Sequence, residues 1–149
     1  MRRLTLTAIF FALSGLACAQ QHSVSVHVPA VLRLRLAESP SRIEAVRIEV
    51  AGGGYRINPG HTDLEVLANS DWQLSASYAP ASARDADAKL LWRLADGGGW
   101  QPFSPFATTL ASGTQAGGWQ RLRVHYGLDA PLPADGTYEG VITYTLSRP

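Results

Sequence analysis

Beyond residue 20 the chain alternates apolar and polar residues at every second position, in one run after another. In "SVSVHV", Val24, Val26 and Val28 stand against Ser23, Ser25 and His27. "LRLRL" sets Leu32, Leu34 and Leu36 against Arg33 and Arg35, and "VRIEV" sets Val46, Ile48 and Val50 against Arg47 and Glu49. The pattern returns in Trp72 to Tyr78, in Leu122 to Tyr126 and in Tyr138 to Leu146, with weaker runs at Thr62 to Ala68 and Ala88 to Ala95. Successive side chains point to opposite faces only in extended backbone. Each run therefore predicts a strand with one buried and one wet face. Turn residues separate the runs: Gly52 to Gly54, Asn58-Pro59-Gly60, Pro80, Gly97 to Gly99, Gly117-Gly118 and Pro131 to Gly136. The segment from Pro80 to Asp87 is small and polar and reads as an exposed loop. Short strands at this spacing predict an all-β fold, an antiparallel sandwich of seven to nine strands.

The first residues follow a different rule. Arg2 and Arg3 precede an uncharged, mainly apolar run, Leu4 to Leu16. That run is too short for a bilayer core of about 30 Å. Ala17-Cys18-Ala19 puts small residues where signal peptidase reads. The expectation is a signal peptide over residues 1–19, cut before Gln20, and a β-sandwich domain over 20–149. The only cysteine, Cys18, then leaves with the leader. In the competing reading Cys18 is the lipidated first residue of a lipoprotein. Both readings place the protein outside the cytoplasm: periplasmic, cell-surface or extracellular.

The full chain has 13 basic and 12 acidic residues, and loss of Arg2 and Arg3 leaves 11 against 12. Such a balance excludes a basic arm or clamp for nucleic acid. No later apolar run reaches the length of a transmembrane helix, so none is expected in the mature chain.

The sequence offers no catalytic, cofactor-binding or metal-binding constellation. His22, His27, His61 and His125 lack metal-ligand spacing, although His27 and His125 would share a metal if their strands were neighbours. There is no Gly-x-Ser-x-Gly elbow. The triplets at 52–54 and 97–99 lack the Lys-Ser/Thr and helix of a phosphate cradle. Asp85 and Asp87 form a short acidic pair, fewer oxygens than calcium takes. The expectation is a protein that is not an enzyme and has no cofactor.

Trp72 and Trp92 fall at inward positions and are expected in the core. Trp100 and Trp119 each follow a glycine run. Aromatics in that setting either cap an end of the sandwich or stack on sugar rings, which makes them candidate ligand contacts. Arg33, Arg35, Arg47, Arg93, Arg121 and Arg123 occupy polar-face positions, with Glu44, Glu49 and Glu65 as cross-strand ion partners. Val24, Val26 and Val28 form an uncharged alternating segment followed by Pro29, which cannot donate to a sheet. They are the candidate assembly strand, able to fold onto their own sheet or to pair with another subunit.

The stretch "PLPADGTYEGVITYTLSRP", residues 131–149, resembles the last strands of secreted bacterial immunoglobulin-like modules. Asp135-Gly136-Thr137-Tyr138 is similar to a tyrosine corner, in which the tyrosine hydroxyl bonds back to the turn before it. Trp72-Gln73-Leu74, with Tyr144-Thr145-Leu146, resembles the paired motifs of WxL-domain surface proteins. The segment Ser23 to Val28 and Gly136, 14 residues from the end, resemble fimbrial subunits of the chaperone–usher type. These resemblances imply an immunoglobulin-like sandwich with a structural or adhesive role, as a fimbria-like or envelope-associated subunit. Its partners would be other surface-protein subunits or glycans. The alternative is a carbohydrate-binding module using Trp100 and Trp119.

Overall fold

The computed structural model describes residues 25–39, 41–115 and 117–149. Residues 1–19, expected as a signal peptide, with Cys18 among them, and Val24 lie outside the described residues. The elements in chain order are β1 (Leu32–Leu36), β2 (Ile43–Ala51), β3 (Gly54–Asn58), β4 (His61–Ala68), β5 (Trp72–Pro80), a 3-10 turn (Asp85–Asp87), β6 (Leu90–Leu94), β7 (Gly97–Pro102), β8 (Thr108–Gly113), β9 (Gln120–Leu128) and β10 (Gly136–Ser147). They form two five-stranded sheets. The front sheet runs β1-β4-β9-β6-β7 and the back sheet β3-β2-β10-β5-β8. Every pairing is antiparallel. The expected all-β sandwich forms, with ten strands among the described residues against the seven to nine expected.

The alternation builds the core directly. From the front sheet Leu34, Leu36, Leu64, Val66, Leu90, Trp92, Val124 and Tyr126 point inward. From the back sheet come Val46, Ile48, Val50, Trp72, Leu74, Tyr138, Ile142 and Tyr144. Trp72 and Trp92 are both buried, as expected. Trp72-Gln73-Leu74 and Tyr144-Thr145-Leu146 lie on neighbouring strands, with Leu74 opposite Leu146. Trp72, Leu74 and Tyr144 are interior, so both motifs contribute to packing.

The tyrosine corner is present: the Tyr138 hydroxyl donates to the Ala134 carbonyl at 2.6 Å. This bond lets a buried phenol satisfy its hydroxyl while fixing the turn that enters β10. A second polar device crosses the core. The hydroxyls of Tyr144 and Tyr126 are hydrogen-bonded, Tyr126 bonds Thr62, and Thr62 donates to the Glu44 carboxylate. A carboxylate only accepts, so the donations run in one direction, from Tyr144 through Tyr126 and Thr62 to Glu44. Burial raises the Glu44 carboxyl above its ordinary range, partly offset by the Thr62 hydroxyl.

Tyr78 is treated differently. Its ring packs on Gly140, where any Cβ would collide with it, and its hydroxyl is buried without a partner. Glycine at 140 is thus required by the close approach of a ring. An unpartnered buried hydroxyl costs about 1–3 kcal/mol of desolvation. Tyr78→Phe is therefore expected to leave stability unchanged or raise it by about 1 kcal/mol in urea unfolding. A loss of more than about 1 kcal/mol would show that the hydroxyl has a bonding role.

Three expectations need correction. Residues 25–28 carry the alternating pattern but belong to neither sheet. Gly97 to Gly99 is the start of β7 and not merely a turn. Gly54 likewise opens β3, an edge strand with mostly exposed side chains. The segment from Pro80 to Asp87 is mostly the exposed loop expected, pinned at one buried residue, Asp85. Asp85 accepts from the Ser82 hydroxyl at 2.6 Å and from the Glu139 amide at 3.0 Å. Those bonds hold the Asp85 carboxyl below the usual range. Asp85 thus ties the loop to β10.

Candidate functional site

The two outer faces differ in chemistry. On the back face, β5 and the far half of β10 present small and hydroxylic side chains, Ser75, Ser77, Thr143, Thr145 and Ser147, while Arg47 of β2 pairs with Glu139 of β10. The front face carries arginine, tryptophan, histidine and two carboxylates. Antiparallel register sets these in rows. Arg35 of β1 lies opposite Glu65 of β4, which lies opposite Arg121 of β9. Arg35 Nε donates to Glu65 Oε2 at 2.7 Å, and Arg121 Nη2 to Glu65 Oε1 at 3.1 Å. The next row pairs Asp63 with Arg123 through two bonds, 2.6 and 2.7 Å. The third row sets His61 opposite His125, with ring centroids 5.8 Å apart, and Arg93 of β6 opposite His125.

The arginines set the electrostatics. Hydrogen bonds from Arg35 and Arg121 hold Glu65 below the usual carboxylate range, and Arg123 does the same for Asp63. Partial burial, then Arg93 and His61, push the His125 imidazole down. The exposed Asp63–Arg123 pair contributes little stability, typically about 0–1 kcal/mol, whereas Glu65 is buried and depends on its two arginines to satisfy its charge. Together the pairs fix the side chains in a planar array.

Trp100 and Trp119 both join this face. Trp119, just before β9, carries the Arg35 guanidinium 4.2 Å from its ring centroid. Trp100 is on β7, the edge strand, yet its ring reaches across β6 to β9. Three atoms of its six-membered ring lie 3.0–3.2 Å from where a Cβ of Gly127 would stand. A Cβ at 127 would press on the indole and oblige it to move by a few tenths of an ångström, so glycine gives the ring its close seat. The Arg93 guanidinium sits 4.7 Å from its centroid. Each tryptophan residue is 42% exposed. Both rings lie partly exposed on the outer face of the front sheet, beside outward arginines, rather than capping an end of the sandwich as one expectation had it. The sequence put Arg35 and Arg93 on polar faces but gave no sign that they stack on these rings, and Gly127 went unnoticed, since the partners come from distant strands.

The remaining sequence candidates are scattered. His27 lies in the segment before β1, and the histidine paired with His125 is His61. Among the described residues no group of three His, Cys, Asp or Glu side chains could hold a metal ion. Val26 and Val28 are 78% and 67% exposed. Pro29 and Val31 are held by Asn69: its side-chain amide donates to the Pro29 carbonyl at 2.9 Å, and its side-chain oxygen accepts from the Val31 amide at 2.6 Å. A cleft of about 300 Å³ opens between the sheets, lined by Tyr78, Leu90, Phe103 and Pro105, with Lys89 and Asp129 among its residues. Among the described residues no helix is long and apolar enough to cross a membrane. No family model, no curated protein and no solved structure matches the chain.

Proposed function

We propose that this chain is an exported, non-enzymatic cell-surface or periplasmic module with a structural or adhesive role, a fimbria-like or envelope-associated subunit. One observation carries the reading. The sandwich closes its core without the segment before β1, yet that segment has a strand's alternation and leaves Val26 and Val28 in water. Apolar side chains on an unpaired extended segment gain most by joining a sheet edge. An edge on another subunit is the acceptor this reading assigns, with Val24, Val26 and Val28 as the inserted side chains.

The test deletes residues 20–28. The truncated protein is expected to keep its thermal midpoint within a few degrees of the parent but to lose self-association in sedimentation. Added "HSVSVHV" peptide should bind it. A truncated protein that unfolds, or a parent that stays monomeric at high concentration while the peptide binds nothing, overturns the assembly role. The same preparation tests export, since the intact mass of the secreted parent should begin at Gln20.

A second reading, a carbohydrate-binding module, is favoured by a separate observation. Trp100 and Trp119 lie on one face, each with an indole surface open to solvent.

A further inference from the structure

We propose that the outer face of the front sheet binds an acidic polysaccharide, with sugar rings on Trp100 and Trp119 and sugar carboxylates on Arg33 and Arg93. This rests on the carbohydrate-binding reading and adds the ligand's chemical class. The first argument is charge. Arg33, Arg35, Arg93, Arg121 and Arg123 face outward on β1, β6 and β9. The carboxylates among them are Asp63 and Glu65, and these are taken by Arg35, Arg121 and Arg123. Among the described residues no ion pair engages Arg33 or Arg93. A guanidinium with no carboxylate partner on a positive face is suited to a planar carboxylate, which it grips with two parallel bonds.

The second argument is shape. The Gly127 contact holds Trp100 against the sheet, so the part left exposed is available as a platform. A pyranose ring presents a flat face of C–H groups, which pack on an indole as other apolar surfaces do. Trp119 provides a second platform towards the β1 edge, beside Arg35. Between the two run the rows of Asp63, Glu65, Arg121 and Arg123. That mixture distinguishes a sugar from a nucleic acid. Asp63, whose side chain stays 22% exposed, accepts from sugar hydroxyls with the lone pairs that Arg123 leaves, whereas a phosphodiester backbone has no donor for it and meets it as a like charge.

The experiment measures binding of the purified protein to polygalacturonate, alginate and hyaluronate, with neutral dextran, xyloglucan and single-stranded DNA as comparisons. Affinity electrophoresis or calorimetry at low ionic strength provides the readout. At least one acidic polymer is expected to bind at least about tenfold more tightly than either neutral polymer or DNA, and to weaken as salt is added. Trp100→Ala and Trp119→Ala should each lower that affinity about tenfold, and Arg93→Gln by a similar factor, with unchanged melting curves. Binding of neutral but not acidic glycans overturns the acidic class and leaves the carbohydrate reading standing. No glycan binding overturns both. Acidic binding that ignores both tryptophan variants reveals charge attraction alone and overturns the site. Tighter binding to DNA overturns it in favour of nucleic acid.

Discussion

Trp72→Ala is expected to destabilise the fold by about 3–5 kcal/mol, the usual range for emptying a large aromatic site in a core. Trp72 begins β5, with β10 on one side and the edge strand β8 on the other. Its indole is buried, and its Nε1 donates to the Thr114 carbonyl at 3.1 Å. Truncation removes the ring and leaves that carbonyl without its donor, next to a void that an edge strand only partly fills. Equilibrium unfolding in urea checks it, and a loss below about 1 kcal/mol would show that the site collapses without cost. Trp92→Ala is a useful comparison. Its Nε1 is buried with no partner, so its truncation removes a ring but no hydrogen bond.

The second large effect is at high pH. Burial pushes the Tyr126 hydroxyl up to about 12 and raises Tyr144 well above its ordinary value, with Tyr126 adding to the effect on Tyr144. Burial, with Asp85 nearby, also pushes Tyr78 up to about 12. In the unfolded chain such phenols ionise near pH 10. The folded state therefore holds its protons where the unfolded state releases them. The stabilisation is complete below about pH 10 and is lost as pH rises towards 12. A two-unit shift corresponds to about 3 kcal/mol. Tyr78 and Tyr126 both pack on Phe103, so their ionisations loosen one region of the core. The unfolding midpoint is expected to fall steeply between pH 10 and 12, and phenolate absorbance should rise in step with unfolding. A flat stability profile across that range would contradict the burial of these hydroxyls.

Strands flanked on both sides were legible in the sequence. β2, β5, β9 and β10 alternate cleanly because one face of each meets the opposite sheet. β3, β7 and β8 were not legible, and all three are edges. β7 opens with Gly97 to Gly99, which have no side chains to alternate, and β3 buries almost none of its own. The segment before β1 shows the converse. Its valines alternate as well as those of any strand, yet residues 25–28 join neither sheet. Alternation says which face a strand would bury, not whether a neighbour exists. The front face was half legible. Glycine runs singled out Trp100 and Trp119 as end caps or ligand contacts without deciding between them, and the stacking of Arg35 on Trp119 joins residues remote in sequence. The close seat of Trp100 on Gly127 depends on a missing side chain, and only the fold reveals its use.

The hydroxyl line from Tyr144 to Glu44 also matters under load. Apolar contacts between two layers have no direction, so one layer can slide over another while contact area is nearly conserved. A hydrogen bond between phenols is short and directional, and in a dry interior it is stronger than in water. The line joins β10 of the back sheet to β9 and β4 of the front, then returns to β2. It acts as a rivet through both plates, set between strands that cannot shift without breaking it. A tug on one sheet is thus passed to the other at that point, and the layers yield together rather than by creep.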